Sequence, residues 1–172
     1  VWFLARPVIA DVTGDGKVDV TISGAVADDR FNIFRNDTVG AGSPSFVKTD
    51  QNGVFGLDNP DVVADVQYRY MNGLDVEGDG DVDIMATVSV YHGYYSPYGW
   101  TNVLLRNDGT GTFTPEALPG SDGAPSPLAV DIDNDGNTDL AWRSSTRGFE
   151  IRRGREDGSF ALYCADGHRV RG

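Results

Sequence analysis

Asp131-Ile132-Asp133-Asn134-Asp135-Gly136-Asn137-Thr138-Asp139 puts four carboxylates into nine residues and runs directly into the apolar Leu140-Ala141-Trp142. Like charges this dense repel one another unless a cation shares them. The same frame occurs twice upstream, as Asp75-Val76-Glu77-Gly78-Asp79-Gly80-Asp81-Val82-Asp83 and as Asp11-Val12-Thr13-Gly14-Asp15-Gly16-Lys17-Val18-Asp19. Three copies in register make the chain a repeat, and the repeat governs how every local segment is read.

Each acidic frame lies between two apolar runs. Pro7-Val8-Ile9-Ala10, Tyr70-Met71-Asn72-Gly73-Leu74 and Ser126-Pro127-Leu128-Ala129-Val130 enter it, and strands starting at Val18, Val82 and Asp139 leave it. A third strand follows in each unit, through Phe31-Asn32-Ile33-Phe34-Arg35, Asn102-Val103-Leu104-Leu105-Arg106 and Phe149-Glu150-Ile151-Arg152-Arg153-Gly154-Arg155. It ends in a turn closed by Phe46, Phe113 or Phe160, and the glycines of Asp108-Gly109-Thr110-Gly111-Thr112 suit a hairpin. Four short antiparallel strands per unit is the content of one β-propeller blade. The expected fold is therefore all-β, one propeller-like region over residues 1–172, with blades at 7–50, 65–117 and 126–163.

The units differ in length. From the last acid of the frame to the arginine of the third strand, taken as Arg35, Arg106 and Arg155, the separations are 16, 23 and 16 residues. The seven extra residues of the middle unit fall within residues 91–100, which hold Tyr91, Tyr94, Tyr95, Tyr98 and Trp100. Exposed aromatic rings on a rigid scaffold suit recognition of a sugar or a protein, so these five are the candidate ligand-binding residues. A second expansion is expected between Gln51 and Asp65. Trp142 is expected in the core or between blades, and the recurring arginines on an acidic neighbour.

Composition narrows the function. The chain has 172 residues, 22 Gly, 8 Pro and a formal net charge of −12. That charge disfavours nucleic acid and anionic lipid as partners. Eleven of the 26 acidic residues occupy positions 1, 3, 5 and 9 of the frames, so three divalent ions would halve the net charge. The single cysteine, Cys164, permits no disulfide within the chain. No apolar run has the length of a membrane span, and the first residues lack the basic start of a signal peptide. A removed leader, or a longer parent chain, is expected.

Calcium takes six to eight oxygens, which a short loop supplies by turning alternate side chains inward. The expected ligands are Asp131, Asp133, Asp135, Asp139 and the Asn137 carbonyl; Asp75, Glu77, Asp79, Asp83 and the Asp81 carbonyl; and Asp11, Thr13, Asp15, Asp19 and the Lys17 carbonyl. About three Ca2+ per chain are expected, the first site being weakest because Thr13 replaces an acid. An EF-hand would need a Glu at position 12 and flanking helices, whereas position 12 here is Ile22, Ala86 or Trp142 and the flanks are strand-like. No triad or nucleophile elbow is present to carry catalysis.

The frame Asp-x-Asp-x-Asp-Gly-x-x-Asp between strands, followed by the Arg-Asn-Asp-turn-Phe hairpin, resembles the FG-GAP or VCBS repeat of integrin α-chain propellers and related lectins and bacterial surface proteins. The resemblance covers about residues 7–163. It implies calcium-bearing propeller blades in an extracellular or cell-surface recognition or adhesion module that binds a glycan or protein. Propellers close with four to eight blades, so three blades imply a parent chain supplying more, or self-association into a ring or filament. That structural role is the alternative function, and a lyase-type polysaccharide-active enzyme ranks behind both.

Overall fold

The computed structural model describes residues 7–23, 31–50, 65–91, 99–118, 127–144, 148–165 and 168–169, and every element among them is a strand. Strands β1 (Val8–Ala10), β2 (Asp19–Ser23), β3 (Phe31–Asn36) and β4 (Phe46–Asp50) form one antiparallel sheet in chain order. A second sheet comprises β5 (Asp65–Leu74), β6 (Asp83–Tyr91), β7 (Gly99–Asn107) and β8 (Phe113–Ala117). The third has β9 (Leu128–Val130), β10 (Asp139–Ser144), β11 (Gly148–Gly154) and β12 (Phe160–Ala165). Here β13 (His168–Arg169) pairs with β12 as a fifth strand, which satisfies backbone groups that an edge would leave open. In each sheet a phenylalanine begins the fourth strand.

The two expansions resolve in part into longer strands. β5 starts at Asp65 and takes up an irregularity between Tyr68 and Tyr70, so the first strand of the middle unit is twice the expected Tyr70 to Leu74. β6 and β7 pair from Ile84↔Leu105 out to Val90↔Gly99. The seven residues by which the middle unit exceeds the first thus lie in the two strands of this hairpin, 83–91 and 99–107 against 19–23 and 31–36. Residues 51–64 lie outside the described residues.

Strand alternation gives each sheet two faces, and matched rows across the three sheets show how they pack. One row is Val8↔Thr21↔Ile33 in the first sheet, Asn72↔Met85↔Leu104 in the second and Leu128↔Ala141↔Ile151 in the third. The row on the opposite face is Ile9↔Val20↔Phe34, Gly73↔Ile84↔Leu105 and Ala129↔Leu140↔Arg152. Val8 and Ile33 of the first sheet share a core with Ile84 and Leu105 of the second. Met85 and Leu104 of the second share another with Leu140 and Trp142 of the third. The middle sheet is thus buried on both faces, which explains why Ile84-Met85-Ala86-Thr87-Val88 is almost wholly apolar instead of alternating. Gly73 lets β5 approach β1, since a Cβ there would lie 2.8 Å from a Val8 methyl carbon.

Candidate metal centre

Each acidic loop joins the first two strands of its sheet, and its backbone is bent the same way three times. Positions 4 and 6 are left-handed: Gly14, Gly78 and Asn134 have φ of 68°, 72° and 59°, and Gly16, Gly80 and Gly136 have 80°, 93° and 90°. The glycine at position 6 is evident from the sequence. The demand at position 4 is masked in the third loop by Asn134, a residue whose short polar side chain tolerates this region.

Hydrogen bonds repeat as faithfully. The position-1 carboxylate accepts the N–H groups of positions 5 and 6: Asp15 and Gly16 to Asp11, Asp79 and Gly80 to Asp75, Asp135 and Gly136 to Asp131, at 2.7–3.2 Å. The position-5 carboxylate accepts the position-7 N–H at 2.9 Å in every copy, from Lys17, Asp81 and Asn137. These contacts curl the loop and point its carboxylate oxygens inward.

Position 9 does something the sequence did not reveal. Asp19, Asp83 and Asp139 are at most 2% exposed. One oxygen of each accepts the position-2 N–H, from Val12, Val76 and Ile132 at 3.1, 3.0 and 2.9 Å. The other accepts an N–H from the end of the third strand, from Asn36, Asn107 and Gly154, each at 2.8 Å. A buried carboxylate is tolerated when charge-assisted bonds replace its hydration. Burial pushes the Asp83 carboxyl up, and the Asn107 and Val76 N–H groups oppose that shift.

This bond corrects the alignment of the arginines. Gly154 occupies the place of Asn36 and Asn107, so the counterpart of Arg35 and Arg106 is Arg153, two residues before Arg155. The sequence spacing misleads because the third unit has Arg153 at the end of β11 and Arg155 just beyond it, and shifts register between Ile151 and Arg152. In unit three Arg153 bonds Asp133 at 2.8 Å and Asp135 at 2.7 Å, the acids of positions 3 and 5. In unit two Arg106 pairs with Glu77 at position 3 and with Glu116, and donates to the Gly158 carbonyl of the third sheet at 2.7 Å. In unit one position 3 is Thr13, whose hydroxyl bonds Asp19, and Arg35 pairs with Asp37 instead.

Only in the third loop, among the described residues, do three acidic groups each bring a ligand atom within 4.8 Å of the others: Asp131, Asp133 and Asp139. Asp135 is close by but held by Arg153. Asp81, expected to offer only a carbonyl, has a carboxyl pushed up by burial and by the neighbouring Asp79 and Asp75. The loops also touch the next sheet. Asn107 donates to the Val12 carbonyl at 2.9 Å and Thr138 to the Asp75 carbonyl at 3.0 Å. Of the aromatic candidates, Tyr91 ends β6 and Trp100 lies in β7 opposite Ser89. Tyr94, Tyr95 and Tyr98 lie outside the described residues.

Residues 75–142, from the first acid of the second loop to the strand after the third, match the family model described as an FG-GAP-like repeat. No curated protein matches the chain. The matched stretch is an FG-GAP-like repeat, and the first loop, which lies outside it, carries the same hydrogen bonds.

Proposed function

We propose that this chain, with an FG-GAP-like repeat at its centre, is a calcium-stabilised extracellular recognition or adhesion module that binds a glycan or protein partner. The observation that carries calcium is the convergence of Asp131, Asp133 and Asp139 in a loop curled by the same hydrogen bonds as its two counterparts. The ion would be held there with Asp135 and the Asn137 carbonyl. In the other loops it would be held by Asp75, Glu77, Asp79, Asp83 and the Asp81 carbonyl, and by Asp11, Thr13, Asp15, Asp19 and the Lys17 carbonyl. When bound, it would offset the mutual repulsion of these carboxylates and tie the first strand connection of the sheet. Exposed loops of this kind suit the calcium concentrations found outside cells.

The partner site rests on the β6–β7 hairpin, whose strands run beyond their counterparts in the other sheets and whose tip is the most aromatic stretch of the chain. Melting the protein with and without chelator tests the first half: at calcium about 100-fold above Kd, chelation lowers Tm by roughly 5–10 °C. Binding to glycan arrays by the Tyr94→Ala, Tyr95→Ala, Trp100→Ala triple variant tests the second. An unchanged profile with unchanged Tm refutes it.

A second reading, in which the blades pack against further blades of a parent chain or of another copy, is favoured by the two outer faces. Ile9 in the first sheet is 65% exposed and Leu128 in the third 64%, whereas Val8, the counterpart of Leu128 in the first sheet, is buried in the core shared with the second. Self-association through these faces is expected to appear in light scattering as a concentration-dependent mass, and a monomer at high concentration counts against it.

A further inference from the structure

We propose that Arg153 is a resident counter-cation of the third loop, which a divalent ion must displace from Asp133 and Asp135, so that the affinity of the loop is set from β11. This rests on the calcium reading above. The guanidinium reaches the loop because the strand is pinned next door: Gly154 donates to Asp139 at 2.8 Å, which holds residue 153 beside positions 3 and 5. Its fork meets one oxygen of each acid, with Nε at 2.8 Å from Asp133 Oδ2 and Nη2 at 2.7 Å from Asp135 Oδ2. A hard dication needs those same oxygens, and two cations on shared carboxylates repel each other.

The three copies vary together in a way that supports this role. Where position 3 is acidic, as Glu77 or Asp133, the equivalent arginine engages it. Where position 3 is the neutral Thr13, the equivalent Arg35 turns to Asp37. The arginine therefore follows the acid of the loop and not merely its own strand. Arg106 has additional partners in Glu116 and the Gly158 carbonyl, so it is anchored more firmly than Arg153. Arg153, with 45% of its side chain exposed, is free to swing into water when an ion arrives. One consequence orders the two fully acidic sites: the second loop, whose arginine is the hardest to move, binds calcium more weakly than the third.

Calorimetric calcium titration of the native chain, Arg153→Gln and Arg35→Gln tests this, the third-loop event being the one that Asp135→Ala removes. Arg153→Gln is expected to tighten that event about tenfold, the effect of removing one positive charge beside a dication, and to lower Tm in chelator. Arg153→Lys should restore most of the native affinity. Arg35→Gln, altered at the same repeat position but away from the third loop, should leave the event unchanged. If the native chain binds calcium and Arg153→Gln binds with the same or lower affinity, the displacement is overturned while the calcium reading stands. If neither chain binds calcium at that loop, both fail together.

Discussion

At the scale of single residues, the acids of the loop divide by what they bind. Asp139 spends its oxygens on the Ile132 and Gly154 N–H groups, so it holds the fold whether or not an ion is present. Asp139→Ala leaves one buried and one part-buried donor without a partner and is expected to cost about 2–4 kcal/mol in urea denaturation, with chelator as well as without. Asp135→Ala loses only the exposed contacts with Asn137 and Arg153, so it should cost less than Asp139→Ala in chelator and destabilise further in calcium. Equal effects of Asp139→Ala on calcium affinity alone, with no loss in chelator, would show that the two N–H bonds carry no weight. Gly14 offers a second check. It has φ of 68°, and a Cβ there would lie 2.4 Å from the Gly109 carbonyl oxygen of the next sheet, whereas Gly16 has open space around it. Gly16→Ala is expected to cost about 1 kcal/mol from backbone strain, and Gly14→Ala clearly more. Similar melting of the two variants would contradict that packing.

At the scale of elements, the hairpins carry separable duties. The turn aspartate Asp108 is held below the usual carboxylate range, first by the Thr110 hydroxyl and then by the Thr110 N–H. A carboxylate lowered in the folded state contributes stability that is complete above its unfolded value and is lost as pH falls through the lowered one. Asp108→Asn should therefore flatten the acid limb of Tm against pH, and an unchanged limb would exclude the contribution. Much of this layer was legible in the sequence. Three spellings of one nine-residue frame gave the loops, the short apolar runs flanking them gave the strands, and Phe46, Phe113 and Phe160 marked where the fourth strands begin. Two features escaped it for physical reasons. Arg153 was hidden behind Arg155 because spacing counts residues, while equivalence is set by which N–H reaches Asp139. The length of β5 was hidden because its pairing with β6 accommodates an irregularity that no local pattern announces. The β13 strand, two residues long, has too little pattern to be read at all.

At the scale of the whole molecule, the described residues form three sheets stacked in chain order, with two cores between them and an exposed apolar side chain on each outer face, Ile9 on the first sheet and Leu128 on the third. Val8, Thr21 and Ile33 of the first sheet and Met85 and Leu104 of the second, which align with the outer row of the third, are buried, as are Ile84, Leu105 and Leu140, which align with the outer row of the first. A further blade would thus meet on either face the kind of contact that already holds this chain together. The charge of the molecule points to the loops, whose frames hold 11 of the 26 acidic residues of a chain with a formal net charge of −12. Elemental analysis of bound calcium after equilibration in millimolar calcium and buffer exchange is the most direct measurement. The native chain should retain calcium and Asp135→Ala should retain one ion fewer per chain, whereas a folded native chain carrying no calcium would contradict the role assigned to all three loops.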